Sequence, residues 1–245
     1  MSDAAGFVCG FADEATAVVG LAWSLGSDRG GLLIREGDTR AAEVEARFNG
    51  DGAELTLGAD GASWEAALSA RPQFHELPAA PVELGLGEPS AAICSVRARI
   101  DDGTERTVEC RGHLTRWGTD PLEGTELFRH IAIPGPDGSL LLATAARPQG
   151  ARNHADEGIA AWRLDPEGGA NSFAEALLST QYDGDGVHVR AGLELWRSER
   201  ETPPVRAAGR VVRGTAARVG AVTAVVLHTS AEGSEGIGDY LVWRR

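Results

Sequence analysis

Two segments separated by a short turn decide the fold class: Cys94-Ser95-Val96-Arg97-Ala98-Arg99-Ile100 and Thr104-Glu105-Arg106-Thr107-Val108-Glu109-Cys110. Apolar and polar residues alternate along both segments, which is the pattern of a β-strand with one buried face. The intervening Asp101-Asp102-Gly103 is a turn signal. The sequence therefore predicts a β-hairpin here.

The register of this hairpin is predicted from its apolar residues. A three-residue loop pairs Val96 with Val108 and Cys94 with Cys110, so the apolar side chains share one face. A two-residue turn shifts the pairing by one position and mixes apolar with polar residues on each face. We therefore expect the three-residue loop, with Gly103 in the left-handed conformation of a G1-type bulge.

The same alternation recurs along most of the chain and indicates an all-β protein. It is clearest in residues 43–48, 54–57, 187–190 and 193–196, with Asp-Gly turn signals between such segments. No long segment has the period of an amphipathic helix, so we expect one large antiparallel barrel or two smaller β units. His188 alternates with Val187 and Val189, and we expect it to face solvent.

Composition excludes several functional classes. The 36 acidic residues outnumber 23 basic ones, all of them arginine, and the net charge is -13. Chemistry that needs a lysine is therefore ruled out, and binding to nucleic acid or to an anionic membrane is disfavoured. The sequence shows no secretory signal and no apolar run long enough for a membrane-inserted helix. Its 3 cysteines form no C-x-x-C pair, so we expect a cytoplasmic protein.

Metal and cofactor motifs are weak. None of the 6 histidines has a metal-binding spacing, and Asp183-Gly184-Asp185-Gly186 lacks the remaining ligands of a calcium loop. We interpret that segment as a hairpin turn. Gly85-Leu86-Gly87 and Gly236-Ile237-Gly238 do not extend to a dinucleotide-binding motif. We therefore expect neither a metal nor a cofactor.

Two segments combine residues suited to chemistry. Gly112-His113-Leu114-Thr115-Arg116-Trp117-Gly118 places a titratable ring, a cation and a large aromatic between two glycines. Arg152-Asn153-His154-Ala155-Asp156-Glu157-Gly158 places a histidine beside two carboxylates, which suits a general acid–base pair. The alternative interpretation is that both segments are polar strand ends in solvent.

The C-terminal half resembles a known family. The segments Leu178-Ser179-Thr180-Gln181-Tyr182-Asp183 and Arg190-Ala191-Gly192-Leu193-Glu194-Leu195-Trp196 are similar to a strand pair of the hydroxyneurosporene-synthase-like, or AttH-like, proteins. The ending from Gly236 through Tyr240 to Arg245 resembles the closing strand of that group. This group includes carotenoid hydratases and is related in fold to lipocalin-like Diels–Alderases.

The resemblance implies a lipocalin-like (calycin-type) fold, either one antiparallel barrel or two consecutive lipocalin-like β units. We assign those units to residues 1–112 and 113–245. The resemblance also implies an apolar pocket in or between the units, and an activity on a hydrophobic polyene substrate. Relatives often carry Gly-x-Arg-Asp-His-Ser-Trp-Gly where this chain has 112–118, a segment one residue shorter that lacks the Asp-His pair.

The resemblance leads to two main hypotheses. The first is a cofactor-independent cyclase, isomerase or hydratase of a polyene, terpenoid or polyketide intermediate. Its expected catalytic residues are His113, His154, Asp156 and Glu157, and its expected substrate-binding residues are Arg116, Trp117, Trp162, Trp196 and Tyr240. The second is a non-catalytic, lipocalin-like carrier of a lipid, pigment or polyketide, which the missing Asp-His pair favours. A module that presents an acidic face to a partner protein is a third interpretation, and the oligomeric state stays open.

Overall fold

The protein is described by a computed structural model. The structure describes residues 4–35, 38–49, 52–59, 62–68, 74–78, 89–101, 103–153, 156–198 and 203–245. These residues form 18 β-strands and one short 3-10 turn at Pro136–Gly138, and they include no α-helix. The all-β prediction is confirmed. Within these residues, no helix is long and apolar enough to span a membrane.

The first nine strands form a barrel. They are β1 (Gly6–Asp13), β2 (Val18–Leu25), β3 (Asp28–Arg35), β4 (Asp38–Asn49), β5 (Gly52–Ala59), β6 (Ala62–Leu68), β7 (His75–Glu76), β8 (Pro89–Asp101) and β9 (Arg106–Trp117). Their order is β6-β5-β4-β3-β2-β1-β9-β8-β7, and β6 also pairs with β8. This pairing closes an antiparallel barrel of eight strands within the described residues, with β7 as a short addition to β8.

The second nine strands form a curled sheet, the half-barrel. They are β10 (Thr125–Pro134), β11 (Leu140–Pro148), β12 (Gly158–Leu164), β13 (Ala170–Ser172), β14 (Glu175–Tyr182), β15 (His188–Trp196), β16 (Val205–Val219), β17 (Val222–Ala231) and β18 (Ser234–Arg244). Their order is β13-β12-β11-β10-β18-β17-β16-β15-β14, and no pairing joins β13 to β14 among the described residues.

Buried side chains occupy three layers, because each strand sends alternate residues to opposite faces. Phe11, Leu57 and Trp64 belong to the barrel interior. Ile131, Leu193 and Leu227 belong to the concave interior of the half-barrel. Between the two sheets lies a third layer, the inter-sheet layer, in which Trp23, Trp117, Phe128 and Leu241 pack together with the neighbouring cluster around Trp162.

The predicted β8–β9 hairpin is present, but its register differs from the prediction. Val96 pairs with Cys110 and Cys94 with Gly112, a shift of two residues. The pairing ends at Ile100 opposite Arg106, so the loop is longer than three residues. Since a two-residue shift preserves the faces of both strands, the predicted apolar face is buried as expected. Gly103 has the predicted positive φ, at 96°.

The β14–β15 hairpin corrects the expectation for His188. Its turn is the predicted hairpin turn, in which Asp183 Oδ1 accepts hydrogen bonds from the N–H groups of Asp185 and Val187. Gln181 pairs with Arg190 and Tyr182 with His188, so Val189 is an extra residue. This bulge reverses the alternation and turns His188 into the protein, where it is buried.

The chain passes from the first sheet to the second between Trp117 and Thr125. The division expected after residue 112 falls inside β9, which continues to Trp117 because its outward-facing residues pack against the second sheet. The division into units 1–112 and 113–245 stays a prediction.

Candidate functional site

A buried polar pair joins the two sheets. His113 of β9 faces outward from the barrel, and its Nε2 lies 2.7 Å from Oδ2 of Asp239 in β18. Both side chains are more than nine-tenths buried. The other polar atom of each, His113 Nδ1 and Asp239 Oδ1, is buried and has no hydrogen-bond partner among the described residues. We call this pair the His113–Asp239 dyad.

A glycine makes room for the dyad. Gly10 of β1 pairs with His113 in the barrel sheet. A Cβ at Gly10 would collide with both Asp239 Oδ2 and His113 Nε2. The close approach of the two hydrogen-bonded side chains to the β1 backbone therefore depends on the missing side chain at this position.

The dyad lines a cavity between the sheets. Its volume is about 490 Å³, within the range of sites for small molecules. Apolar lining comes from both sheets, namely Val19, Ile93, Leu140 and Ile237. Charged and polar residues that share the lining include Asp13, Glu14, Arg111, Asp137 and Glu235.

One contact ties the sheets together beside this cavity. Arg111 of β9 donates a hydrogen bond to the carbonyl oxygen of Gly138, in the turn between β10 and β11. A second cavity of about 900 Å³ shares Val19, Glu235 and Ile237 with the first, so the two form neighbouring parts of one groove.

A second polar cluster lies inside the half-barrel. Arg129 of β10 donates to both carboxylate oxygens of Glu157, at 2.7 and 2.5 Å, and both side chains are deeply buried. Arg129 Nη1 also donates to Thr180 Oγ1 and to Tyr240 Oη. Thr180 Oγ1 and Tyr240 Oη are 2.7 Å apart, and His188 Nε2 lies 3.1 Å from the Tyr240 carbonyl oxygen.

Burial and the ion pair shift the pKa values of this cluster. Burial lowers the pKa of His188 to about 4, so the ring is neutral at neutral pH. Burial raises the pKa of Tyr240, an effect that Arg129 partly offsets. Burial alone would lower the pKa of Arg129, but Tyr240 and Glu157 raise it above its ordinary value. The cluster thus consists of a charged pair surrounded by neutral, hydrogen-bonded groups.

The structure brings together some of the residues that the sequence nominated. In the half-barrel, Arg129 donates hydrogen bonds to both Glu157 and Tyr240. His113 lies in the inter-sheet layer. Asp156 is exposed, and its Oδ2 accepts the N–H groups of Arg152 and Asn153. His154 lies outside the described residues. The four expected catalytic residues therefore do not form one site among the described residues.

The expected substrate-binding residues are likewise distributed. Arg116 donates to Ser90 Oγ and lies over the Phe74 ring at the barrel. Trp117 and Trp162 are buried in the inter-sheet layer, where Trp162 Nε1 donates to the carbonyl oxygen of Pro78. Trp196 is buried in β15. Only the two inter-sheet tryptophans share a layer with the dyad.

Sequence reasoning missed three polar residues that lie within apolar strands. Asp239 precedes Tyr240-Leu241-Val242-Trp243, and Arg129 and His130 interrupt the apolar run of β10. A charged or titratable residue inside such a run predicts a buried, partnered side chain. That signal was present in the sequence, but the pairing of His113 with Asp239 spans 126 residues and has no local signature.

Within the described residues, no group of three or more His, Cys, Asp and Glu is arranged to hold a metal ion.

No family model matches the chain, and no curated protein matches it.

Solved structures share the fold. A Nitrosomonas europaea protein described as an AttH matches with a TM-score of 0.62 and 14% identity, over 97% of this chain and 91% of its own. Kievitone hydratase from Nectria haematococca matches with a TM-score of 0.58 and 8% identity, over 98% and 89%. CghA, solved with Sch210972, matches with a TM-score of 0.57 and 11% identity, over 98% and 88%. The lipocalin-like fold and its likeness to the AttH-like structures are thereby confirmed.

Proposed function

We propose that this protein is a cofactor-independent enzyme that transfers a proton to or from an apolar small molecule held between the two sheets. The observation that carries the proposal is the buried His113–Asp239 dyad, which lines an inter-sheet cavity of about 490 Å³. A buried acid–base pair with an unpartnered oxygen is suited to proton transfer.

The substrate class follows from the cavity lining. Ile93, Leu140 and Ile237 give an apolar surface for a hydrocarbon body, and the volume suits a molecule of moderate size. We therefore propose a polyene, terpenoid or polyketide intermediate as substrate. The rim residues Glu14 and Glu235 are exposed carboxylates. They favour a substrate whose outer end is neutral over one that ends in a carboxylate.

The dyad divides the work between its two members. In the proposed step, His113 Nε2–H donates to Asp239 Oδ2, 2.7 Å away, and holds the carboxyl group in place. Oδ1 of the protonated carboxyl group gives its proton to a substrate alkene. The resulting cation then loses a neighbouring proton, is captured by a second double bond to give a new cation that loses a proton, or is captured by a water molecule that loses a proton. In each case one proton returns to Asp239, so the outcomes are an isomerisation, a cyclisation or a hydration.

This assignment places the acid on Asp239 and not on Asp156 or Glu157. Both Glu157 oxygens accept hydrogen bonds from Arg129, and Asp156 accepts two backbone N–H groups at the surface. Asp239 instead has one buried oxygen without a partner among the described residues. An oxygen free of other bonds is the one that exchanges a proton with a ligand.

The fold neighbours support an enzyme. One of them is named a hydratase and another was solved with Sch210972.

A cytoplasmic location is consistent with the three cysteines, which are unpaired and buried.

The test begins with a thermal-shift screen of apolar polyenes, terpenoids and polyketide mimics, followed by product analysis with each ligand that binds. Ligand at about 100 times its dissociation constant adds roughly 2.7 kcal/mol, a rise of roughly 5–10 °C for a chain of this size. We expect Asp239→Asn to bind the ligand but to convert it at least about 100-fold more slowly.

Asp28→Asn is the matched control. Asp28 also joins the two sheets, through a 2.8 Å hydrogen bond from Trp243 Nε1, and it does not line the cavity. Conversion by this variant should stay near that of the unmodified protein. If Asp239→Asn converts the ligand equally fast, the proposed acid is wrong. If the unmodified protein returns every bound ligand unchanged, the protein is a lipocalin-like carrier.

A further inference from the structure

A row of buried polar side chains continues from the dyad into the inter-sheet layer. His113, Thr115 and Trp117 are alternate residues of β9 and therefore face the same way, toward the second sheet. His130 of β10 faces them. Its ring centroid lies 6.3 Å from that of His113 and 5.5 Å from that of Trp117. All four side chains are buried.

Each member of this row has a polar atom without a hydrogen-bond partner among the described residues. The atoms are His113 Nδ1, Thr115 Oγ1, Trp117 Nε1 and His130 Nε2. An unsatisfied buried donor or acceptor costs about 1–3 kcal/mol. Native proteins keep only a few such groups per hundred residues. Four of them on side chains that face the same layer indicate a polar ligand in that layer.

We propose that these four side chains bind water within the inter-sheet layer, at an inner hydration site next to the dyad. Their donor and acceptor groups suit this ligand: the Trp117 N–H donates, the Thr115 hydroxyl both donates and accepts, and each histidine nitrogen does one or the other. A buried water makes two to four such bonds.

His130 is fitted to such a site because it stays neutral. Burial, together with the nearby His113, lowers the pKa of His130 to about 3. Its Nδ1 lies 3.0 Å from Thr144 Oγ1, which leaves Nε2 for the water. A neutral ring adds no charge beside the dyad and bonds water whichever tautomer it adopts.

The site has a consequence that rests on the proposed function. His113 is held at Nε2 by Asp239, and water at the inner hydration site holds it at Nδ1. The ring is then fixed from both sides while Asp239 exchanges its proton with the substrate. Hydrogen bonding at the second nitrogen of a histidine fixes its tautomer and its orientation.

The test is a high-resolution crystal structure of the ligand-free protein, and of Thr115→Val and Thr229→Val. We expect one ordered water or more within about 2.6–3.2 Å of at least two of the four atoms. We expect that water to be lost or displaced in Thr115→Val, which keeps the side-chain shape and removes the hydroxyl. Thr229 is also buried, but its hydroxyl donates to the Gly236 carbonyl oxygen, so Thr229→Val should leave the water in place.

A second measurement follows the imidazole ¹⁵N resonances of His113 in solution. The Nδ1 signal should shift in Thr115→Val and not in Thr229→Val. Direct hydrogen bonds among the four side chains of the unmodified protein, or the lack of ordered water at their polar atoms, would overturn the proposal. This holds even if no variant folds. Because these readouts need no substrate, the hydration site and the catalytic role of Asp239 fail or stand separately.

Discussion

The two sheets of this protein fill their interiors in different ways. The barrel closes through the β6–β8 pairing, and its described core consists of apolar side chains such as Trp64, together with three cysteines. Burial raises the pKa of the Cys94 thiol to about 12, as expected for an inert structural cysteine. The half-barrel stays open between β13 and β14 in the part of the chain that the structure describes, and its interior holds the Arg129–Glu157 ion pair.

This difference bears on the place that we propose for the ligand site. The barrel interior is filled by side chains, as in small closed barrels generally, and the half-barrel uses its polar groups to satisfy one another. In the inter-sheet layer, His113 Nδ1 and Asp239 Oδ1 have no hydrogen-bond partner among the described residues, and these two side chains line a cavity. In the proposed function, the barrel supplies His113 and the half-barrel supplies the carboxyl group of Asp239.

The largest expected loss of stability comes from breaking the ion pair in the interior of the half-barrel. Arg129→Met removes one partner and leaves Glu157 charged and buried, which should lower the free energy of unfolding by about 3–5 kcal/mol. The exposed Arg206–Glu194 pair is the control, with side chains 73% and 42% exposed. Arg206→Met should cost less than about 1 kcal/mol. Urea titrations measure the free energy of unfolding of both variants. Equal decreases in the two variants would contradict a buried ion pair in the half-barrel.

Acid should act on the half-barrel through His188. Its pKa is about 4 in the folded protein and about 6.5 in the unfolded chain. The unfolded chain therefore binds more protons between these values, and stability falls as the pH falls from about 6.5 to about 4, by about 3 kcal/mol in all.

His188→Gln isolates this contribution, because His130 acts in the same direction in both proteins. The variant should lose stability less steeply with acid, by up to about 1.4 kcal/mol per pH unit. Unfolding free energies measured at several pH values give both slopes. Parallel slopes would show that His188 is exposed, as the sequence pattern first suggested.

A smaller effect is expected where the sheets meet. Gly10→Ala places a methyl group against the dyad and should cost about 1–3 kcal/mol, because the two side chains must move apart. A Cβ at Gly58 of β5 would have no atom within 4 Å, so Gly58→Ala should change stability by less than about 0.5 kcal/mol. Thermal unfolding compares the two, and a harmless Gly10→Ala would mean that the dyad is not held against β1.

Local sequence patterns predicted the strands and their buried faces, and long-range geometry accounts for what they missed. The β8–β9 face is correct because alternation fixes which side chains point inward, while the longer loop shifted the pairing by two residues. The bulge at Val189 reversed His188, since an extra residue leaves no mark on the alternation. Asp239 was overlooked because its partner His113 is brought to it only by the packing of two sheets.

The most direct test of the inter-sheet site is a crystal structure with a ligand found in the thermal-shift screen. We expect density for the ligand between β1 and β18, with its reactive carbon in contact with Asp239 Oδ1 at roughly 3.5–4 Å. Density inside the half-barrel, beside Glu157 and Tyr240, would show that the inter-sheet site is wrong and would favour two of the residues predicted from the sequence.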